Sequence, residues 1–191
     1  MKKAAIPCRE RGLKKWDGVK AVPLSICGRC GMGKFRFYHI KEEYIAYLHE
    51  IDQRVQYNKG QRRPYVGIVL TVGTHDYYVP LESPKCSHSK LKSSGPILKL
   101  EDGALGIMGF NNMLPVLACE LIEIDFEHLS DVRYRMLLQN QARCCNRMAT
   151  EIQKRAETTY RKATDRKNQF YQKVCCDFKA LEIAAEKYIH K

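Results

Sequence analysis

Phe35, Phe37 and His39 alternate with Arg36 and Tyr38, a spacing that predicts a strand opening at Lys34. Directly after it, Tyr44, Ile45, Tyr47, Leu48 and Ile51 recur at helical spacing and predict a short amphipathic helix over residues 41–52. Residues 53–63 are polar and contain Asn58-Lys59-Gly60, so they read as a basic loop. The β-branched run from Tyr65 to Val72 predicts a buried strand, Gly73-Thr74 a turn, and His75 to Leu81 its hairpin partner. A second hairpin is expected where residues 97–100 and 104–108 flank Glu101-Asp102-Gly103, with further short strands over 113–116 and 119–125.

Beyond Asp125 the pattern changes. Ser130 is a candidate N-cap, with Asp131 in the first turn of a long helix running to about Tyr160. A second long helix is expected over residues 164–189, and neither contains an interior Pro or Gly. Tyr134, Leu137, Leu138, Gln141, Cys145, Met148 and Ile152 form a stripe able to pack on a sheet. Strands first and helices afterwards indicate an α+β fold, a curved antiparallel sheet with helices against it. Residues 1–32 differ: Pro7, Pro23, Gly12, Gly18, Gly28 and Gly31 punctuate them without periodicity, so they read as a flexible extension. Residues 33–191 read as one domain, and Met32 is placed to be a native start.

Charge narrows the choice of partner. Thirty-three Lys plus Arg against twenty-one Asp plus Glu give a formal charge of +12, an excess that captures polyanions. Nucleic acid is the expected partner; an acidic membrane surface fits less well, because no Trp-anchored amphipathic face is present. No stretch approaches the roughly 18 apolar residues of a membrane span, and the first residues lack the apolar core of a secretory signal. Nine cysteines, including the adjacent pairs Cys144-Cys145 and Cys175-Cys176, are then best read as reduced thiols of a cytoplasmic protein.

The sequence holds no phosphate-loop, dinucleotide or His-Glu-x-x-His motif. Cys27-Gly-Arg-Cys30 would need two more ligands to hold zinc, and Cys8, Cys86 and His88 are irregularly placed for it; no metal or cofactor is expected. The segment from Pro80 to Lys92 is the richest in chemistry. It places Glu82, Ser83, Lys85, His88, Lys90 and Lys92 after one strand and before another. Lysines neutralise phosphate oxygens and a hydroxyl hydrogen-bonds one, although a solvated basic loop has the same composition. Lys59, Arg62 and Arg63 form a second patch just before the Tyr65 strand. If residues 65–72 and 75–81 pair, their far ends lie side by side, and Arg63 comes close to Glu82, Ser83 and Lys85. Metal-free RNA cleavage needs such a set: a group to take the 2′-hydroxyl proton, cations on the phosphorane and a donor for the leaving 5′-oxygen. Arg63 and Lys85 suit the charge role, Glu82 or His88 a proton role, and Ser83 holds the phosphate. Tyr65, Tyr77 and Tyr78 can stack on bases or pack in the core, and Tyr65 is kept as an RNA-binding candidate beside Lys59, Arg62, Lys90 and Lys92. His75 in the turn reads as structural. The basic stretches at 143–147, 154–155, 161–162 and 166–167 can line an RNA groove or face solvent.

Five segments in order resemble the ToxN/AbiQ family of type III toxins. They are the strand and helix over 34–48, Arg63-Pro-Tyr-Val-Gly-Ile-Val-Leu70, Pro80-Leu-Glu-Ser-Pro-Lys85 with His88, Leu105-Gly-Ile-Met-Gly-Phe-Asn-Asn-Met-Leu-Pro115, and Tyr134-Arg-Met-Leu137. The resemblance implies a metal-independent endoribonuclease that leaves 2′,3′-cyclic phosphate and 5′-hydroxyl ends. It also implies a strongly twisted antiparallel sheet of the Kid/MazF kind, a partial barrel with added helices. The implied partners are a pseudoknotted antitoxin RNA cut from a tandem repeat, a cellular or phage RNA substrate, and a cyclic protein–RNA assembly such as three of each. Phage defence or plasmid maintenance is the implied role. On this likeness Ser83 matches the family's central serine, Lys85 its lysine and Arg63 the basic residue before its second strand. Glu82 stands where the family has Thr or Ser, and a carboxylate beside a phosphate is repulsive unless a cation pairs with it. Unpaired, it would leave a non-catalytic RNA-binding protein, the alternative reading.

Overall fold

In the computed structural model the described residues are 19–20, 35–58, 60 and 63–188. Strands β1 (Val19–Lys20) and β2 (Arg36–Ile40) lead into helix α1 (Glu42–Ile51). Strands β3 (Tyr65–Val72) and β4 (His75–Glu82) follow as a hairpin. Short strands β5 (Ile97–Lys99), β6 (Ile107–Gly109), β7 (Leu114–Pro115) and β8 (Leu121–Glu123) complete the sheet. Helices α2 (Val132–Arg147), α3 (Ala149–Thr164), α4 (Gln169–Val174) and α5 (Phe178–Lys187) close the described chain. The fold is therefore α+β with an antiparallel sheet, as the order of patterns indicates.

Two long strands organise this sheet. The path runs β5-β6-β4-β3-β2-β8, and every pairing is antiparallel. Both halves of the hairpin change neighbours partway along. Strand β3 gives Tyr65–Gly67 to β2 and Thr71–Val72 to β1, so two residues of the segment read as an extension join the sheet. Strand β4 gives Tyr77–Tyr78 to β7 and Leu81–Glu82 to β6. Both strands are buried along nearly their whole length, which is why β3 reads as a continuous apolar run instead of an alternation. Helix α1 sets Tyr44, Ile45 and Leu48 into the core, each worth about 1.5–3 kcal/mol on full burial. Glu42 and Glu43 in its first turn face the positive end of its dipole.

The helical half departs from expectation in its breaks. Asp131, not Ser130, caps α2: its carboxylate accepts from the Arg133 and Tyr134 amides. The helix expected to run to about Tyr160 ends at Met148, whose amide bonds both the Cys144 and Cys145 carbonyls before α3 begins. The second expected helix is two short ones. Between them the Cys176 amide bonds the Asn111 carbonyl at 2.9 Å, and the Asp177 amide bonds Asp52 Oδ2 at 2.6 Å. These tertiary partners take backbone groups that a continuous helix would have used. Six described cysteines are free thiols, and burial pushes Cys145, Cys175 and Cys176 up to about 12. No helix among the described residues is long and apolar enough to cross a membrane.

One buried carboxylate ties the helices to the sheet. The Tyr77 and Tyr160 hydroxyls donate to Glu182 Oε1 at 2.8 and 2.7 Å, while Lys179 Nζ holds Oε2 at 2.9 Å. Glu182→Ala strands two tyrosine hydroxyls at about 1–3 kcal/mol each, so it should cost about 2–6 kcal/mol of stability by urea denaturation. Tyr77→Phe, which removes a single donor, should cost about 1 kcal/mol.

Candidate active site

The open end of the β3–β4 hairpin brings two separated segments together. Tyr65 lies opposite Pro80, and the Leu81 amide donates to the Pro64 carbonyl at 2.8 Å. Arg63, one residue further out, therefore stands beside Glu82. Its carbonyl lies 3.3 Å from His39 Nδ1, and burial lowers the His39 pKa despite that contact. The Arg63 guanidinium reaches the Tyr65 hydroxyl, which also donates to Asn58 Oδ1 at 3.1 Å. Burial raises Tyr65 to about 12, with the Arg63 charge pulling the other way. Asn58 Nδ2 in turn bonds the Ile40 carbonyl at 2.7 Å, so the loop carrying Arg63 is fixed to β2.

From β4 come the other groups. Lys85 Nζ donates to Glu82 Oε2 at 2.7 Å, and His88 Nε2 lies 3.8 Å from the same oxygen. Burial pushes the Glu82 carboxyl up, but the Lys85 hydrogen bond and the charges of Lys85, Arg63 and His88 outweigh it and hold the pKa below the ordinary 4.5. The carboxylate that threatened repulsion is thus ringed by cations. His88 sits in the 3-10 turn Cys86–Lys90, only 3% exposed, with Nδ1 buried and unpartnered among the described residues. It reaches the site through Glu82 and not through solvent. Ser83 and Lys85 are exposed, as are Lys90 and Lys92 further along. Gly106 (φ +99) packs against this turn so closely that a Cβ there would lie 1.9 Å from the Glu82 carbonyl oxygen. Only glycine supplies both that conformation and that approach.

Arg63, Glu82, Ser83, Lys85 and His88 accordingly gather at one end of the sheet. Tyr65 requires a correction: its ring is 1% exposed in the core, so it cannot stack on a base, and only its hydroxyl serves the site. Lys59 and Arg62 lie outside the described residues. His75 pairs with Glu186 at 3.1 Å, away from this cluster. Asn58, His39 and Gly106 are supporting residues that sequence reasoning missed. Nothing in a single sequence marks an asparagine in a basic loop as the brace of an arginine, although Gly106 stood in a quoted segment. Among the described residues no group of three or more His, Cys, Asp or Glu side chains is placed to hold a metal ion.

The Glu82 contacts have a signed pH consequence. A carboxyl whose folded pKa is depressed adds stability that is fully present above its ordinary value and lost as pH falls through the folded value. The stability gap between the wild type and Glu82→Gln should therefore be constant above pH 4.5 and narrow below it, read from urea midpoints across the acid range.

Similarity to known proteins shows the family. A family model described as toxin ToxN, type III toxin–antitoxin system, matches residues 36–186. An endoribonuclease ToxN of Bacillus thuringiensis subsp. kurstaki is 32% identical over 162 residues, covering 80% of this chain and 84% of that one. An endoribonuclease AbiQ of Lactococcus lactis subsp. lactis is 32% identical over 167 residues, 82% of this chain and 90% of that one. Among solved structures, a toxin described as selectively inhibited by a non-coding RNA pseudoknot superposes with a TM-score of 0.73 at 32% identity, covering 83% of this chain and 99% of that one. AbiQ, described as a lactococcal anti-phage endoribonuclease, superposes with a TM-score of 0.71 at 31% identity, over 81% and 97% of the two chains. On these matches the chain belongs to the ToxN family of type III toxin–antitoxin systems.

Proposed function

We propose that this chain is the toxin of a type III system, a metal-independent endoribonuclease checked by a repeat-derived pseudoknot RNA that it also processes. The observation that carries the reading is the meeting of Arg63 with Glu82, Ser83 and Lys85 across the hairpin end. A phosphodiester entering there finds a guanidinium, an ammonium and a hydroxyl within one small patch. Arg63 and Lys85 stabilise the charge that builds on the phosphorane, and Ser83 hydrogen-bonds a non-bridging oxygen.

The proton transfers close as a cycle. The 2′-oxygen attacks phosphorus while Glu82, ionised at neutral pH, accepts its proton. The phosphorus–O5′ bond breaks, and Lys85 gives a proton to the departing oxygen, leaving 2′,3′-cyclic phosphate and 5′-hydroxyl ends. The 2.7 Å contact then returns the proton from Glu82 to Lys85. His88 positions Glu82 from the buried side. The sheet is read as the twisted partial barrel of the Kid/MazF kind, which fits strands β3 and β4 switching neighbours midway. Assembly with the antitoxin RNA as a closed ring, such as three of each, and a role in phage defence or plasmid maintenance follow from family membership.

Each of Ser83→Ala, Lys85→Ala and Arg63→Ala should lower RNA cleavage at least about 100-fold without unfolding the chain, the cost of losing one preorganised donor. Cleavage by the wild type should survive EDTA. A fully active Ser83→Ala protein would defeat the site assignment.

A further inference from the structure

We propose that Tyr65 and Asn58 are positioning residues for cleavage, a buried hydrogen-bond relay that aims the Arg63 guanidinium at the scissile phosphate. The proposal rests on the RNA-cleaving reading and deepens it. Both side chains are buried, at 1% and 2% exposed, so neither reaches a substrate and each acts through Arg63.

The relay runs one way because of where it starts. Asn58 uses both ends of its amide. Nδ2 donates to the Ile40 carbonyl at 2.7 Å, and a carbonyl can only accept. That bond leaves Oδ1 facing the Tyr65 hydroxyl, 3.1 Å away, and so fixes where the hydroxyl hydrogen points. The phenolic oxygen then has only lone pairs to offer on its other side, where the Arg63 guanidinium donates to it. Burial holds the phenol in its neutral form throughout the physiological range.

The backbone of Arg63 is pinned to the same strand. Its carbonyl lies 3.3 Å from His39 Nδ1, and His39 and Ile40 are the last two residues of β2. The hairpin thus brings Arg63 to the site, while β2 sets the direction of its side chain. A guanidinium carries five N–H donors in a rigid fork, so one bond to Tyr65 leaves the others for phosphate oxygens.

The competitor for this guanidinium is Glu82. Lys85 and His88 lie within ion-pair distance of that carboxylate, at 2.7 and 3.8 Å, whereas Arg63 acts on it through its field. An Arg63 released from Tyr65 can turn onto Glu82. That movement would take a cation from the phosphate and occupy the proton acceptor together. Holding the guanidinium away from Glu82 before RNA arrives is electrostatic preorganisation.

The test uses the full chain as wild type, Tyr65→Phe, Arg63→Ala and the double variant, cleaving a short RNA under single-turnover conditions. Tyr65→Phe keeps the ring in the core and removes only the hydroxyl. It should lower the maximal rate about 10-fold and leave the half-saturating enzyme concentration within about 2-fold, the signature of a group misplaced in the transition state. In the Arg63→Ala background the same change should alter the rate by less than about 2-fold, because the group it positions is gone. The Arg63 Nε–H signal, assigned by its loss in Arg63→Ala, reports order directly through its heteronuclear NOE. It should be as ordered as the backbone in the wild type and as mobile as exposed arginines in Tyr65→Phe. An unchanged rate in Tyr65→Phe, an equal loss in both backgrounds, or an Arg63 signal equally ordered with and without the hydroxyl would each overturn the relay. If the wild type cleaves no RNA, the enzymatic reading fails, and the NOE alone decides whether Tyr65 holds Arg63. Should Tyr65→Phe not fold, Asn58→Ala, which frees the hydroxyl hydrogen, carries the same expectations.

Discussion

Everything at the active end of this protein depends on one backbone pairing, the Leu81 amide on the Pro64 carbonyl at the mouth of the β3–β4 hairpin. Arg63 and Ser83 are twenty residues apart in the chain, and no local propensity brings them together. The ladder does so, because an antiparallel register fixes which residues stand opposite once the turn is set. Burial of both strands makes that register costly to change: a slip by one position would turn Tyr65, Val66, Val79 and Leu81 to the opposite face, against packing neighbours shaped for other side chains. The guanidinium and the hydroxyl–ammonium pair are thus positioned by the hydrophobic effect acting on residues that never meet a substrate.

Glu82 gives this site its own electrostatic character. A half-buried carboxylate is costly alone, but here it accepts from Lys85 and stands within the fields of Arg63 and His88. It also keeps Lys85 in place while the site is empty, so the cation is preorganised. The same carboxylate offsets part of the positive charge that Lys85 and Arg63 bring to this end of the sheet. Gly106 sets the outer wall of this arrangement, since any side chain there would displace the Glu82–Ser83 peptide.

The helical half serves the sheet through a few polar ties between apolar surfaces. Glu182 draws α5 and α3 onto Tyr77 of β4, and Asp52 binds both Arg54 and the start of α5. On the other side, Asn146 of α2 accepts from the Phe35 amide at 2.8 Å, and Gln141 holds the Leu105 carbonyl. Those last two contacts attach α2 to the segments flanking the site.

By itself the sequence determined the strands, the first helix, the basic character and the chemistry-bearing segment 80–92. Each of these is written in neighbouring residues: the alternation at Phe35–His39, the β-branched run of β3, the Gly73-Thr74 turn, the gathering of Ser83, Lys85 and His88. Tertiary structure alone decided what depends on distant partners. It broke the last helix at Cys176 and Asp177, where backbone amides bond distant partners, it ended α2 at Met148, and it buried Tyr65, whose ring could equally have faced a base. It placed Asn58 behind Arg63 and Gly106 against Glu82. Periodicity along a chain records which face is apolar; it carries no record of which residues, far apart in number, will share a surface once those faces are packed.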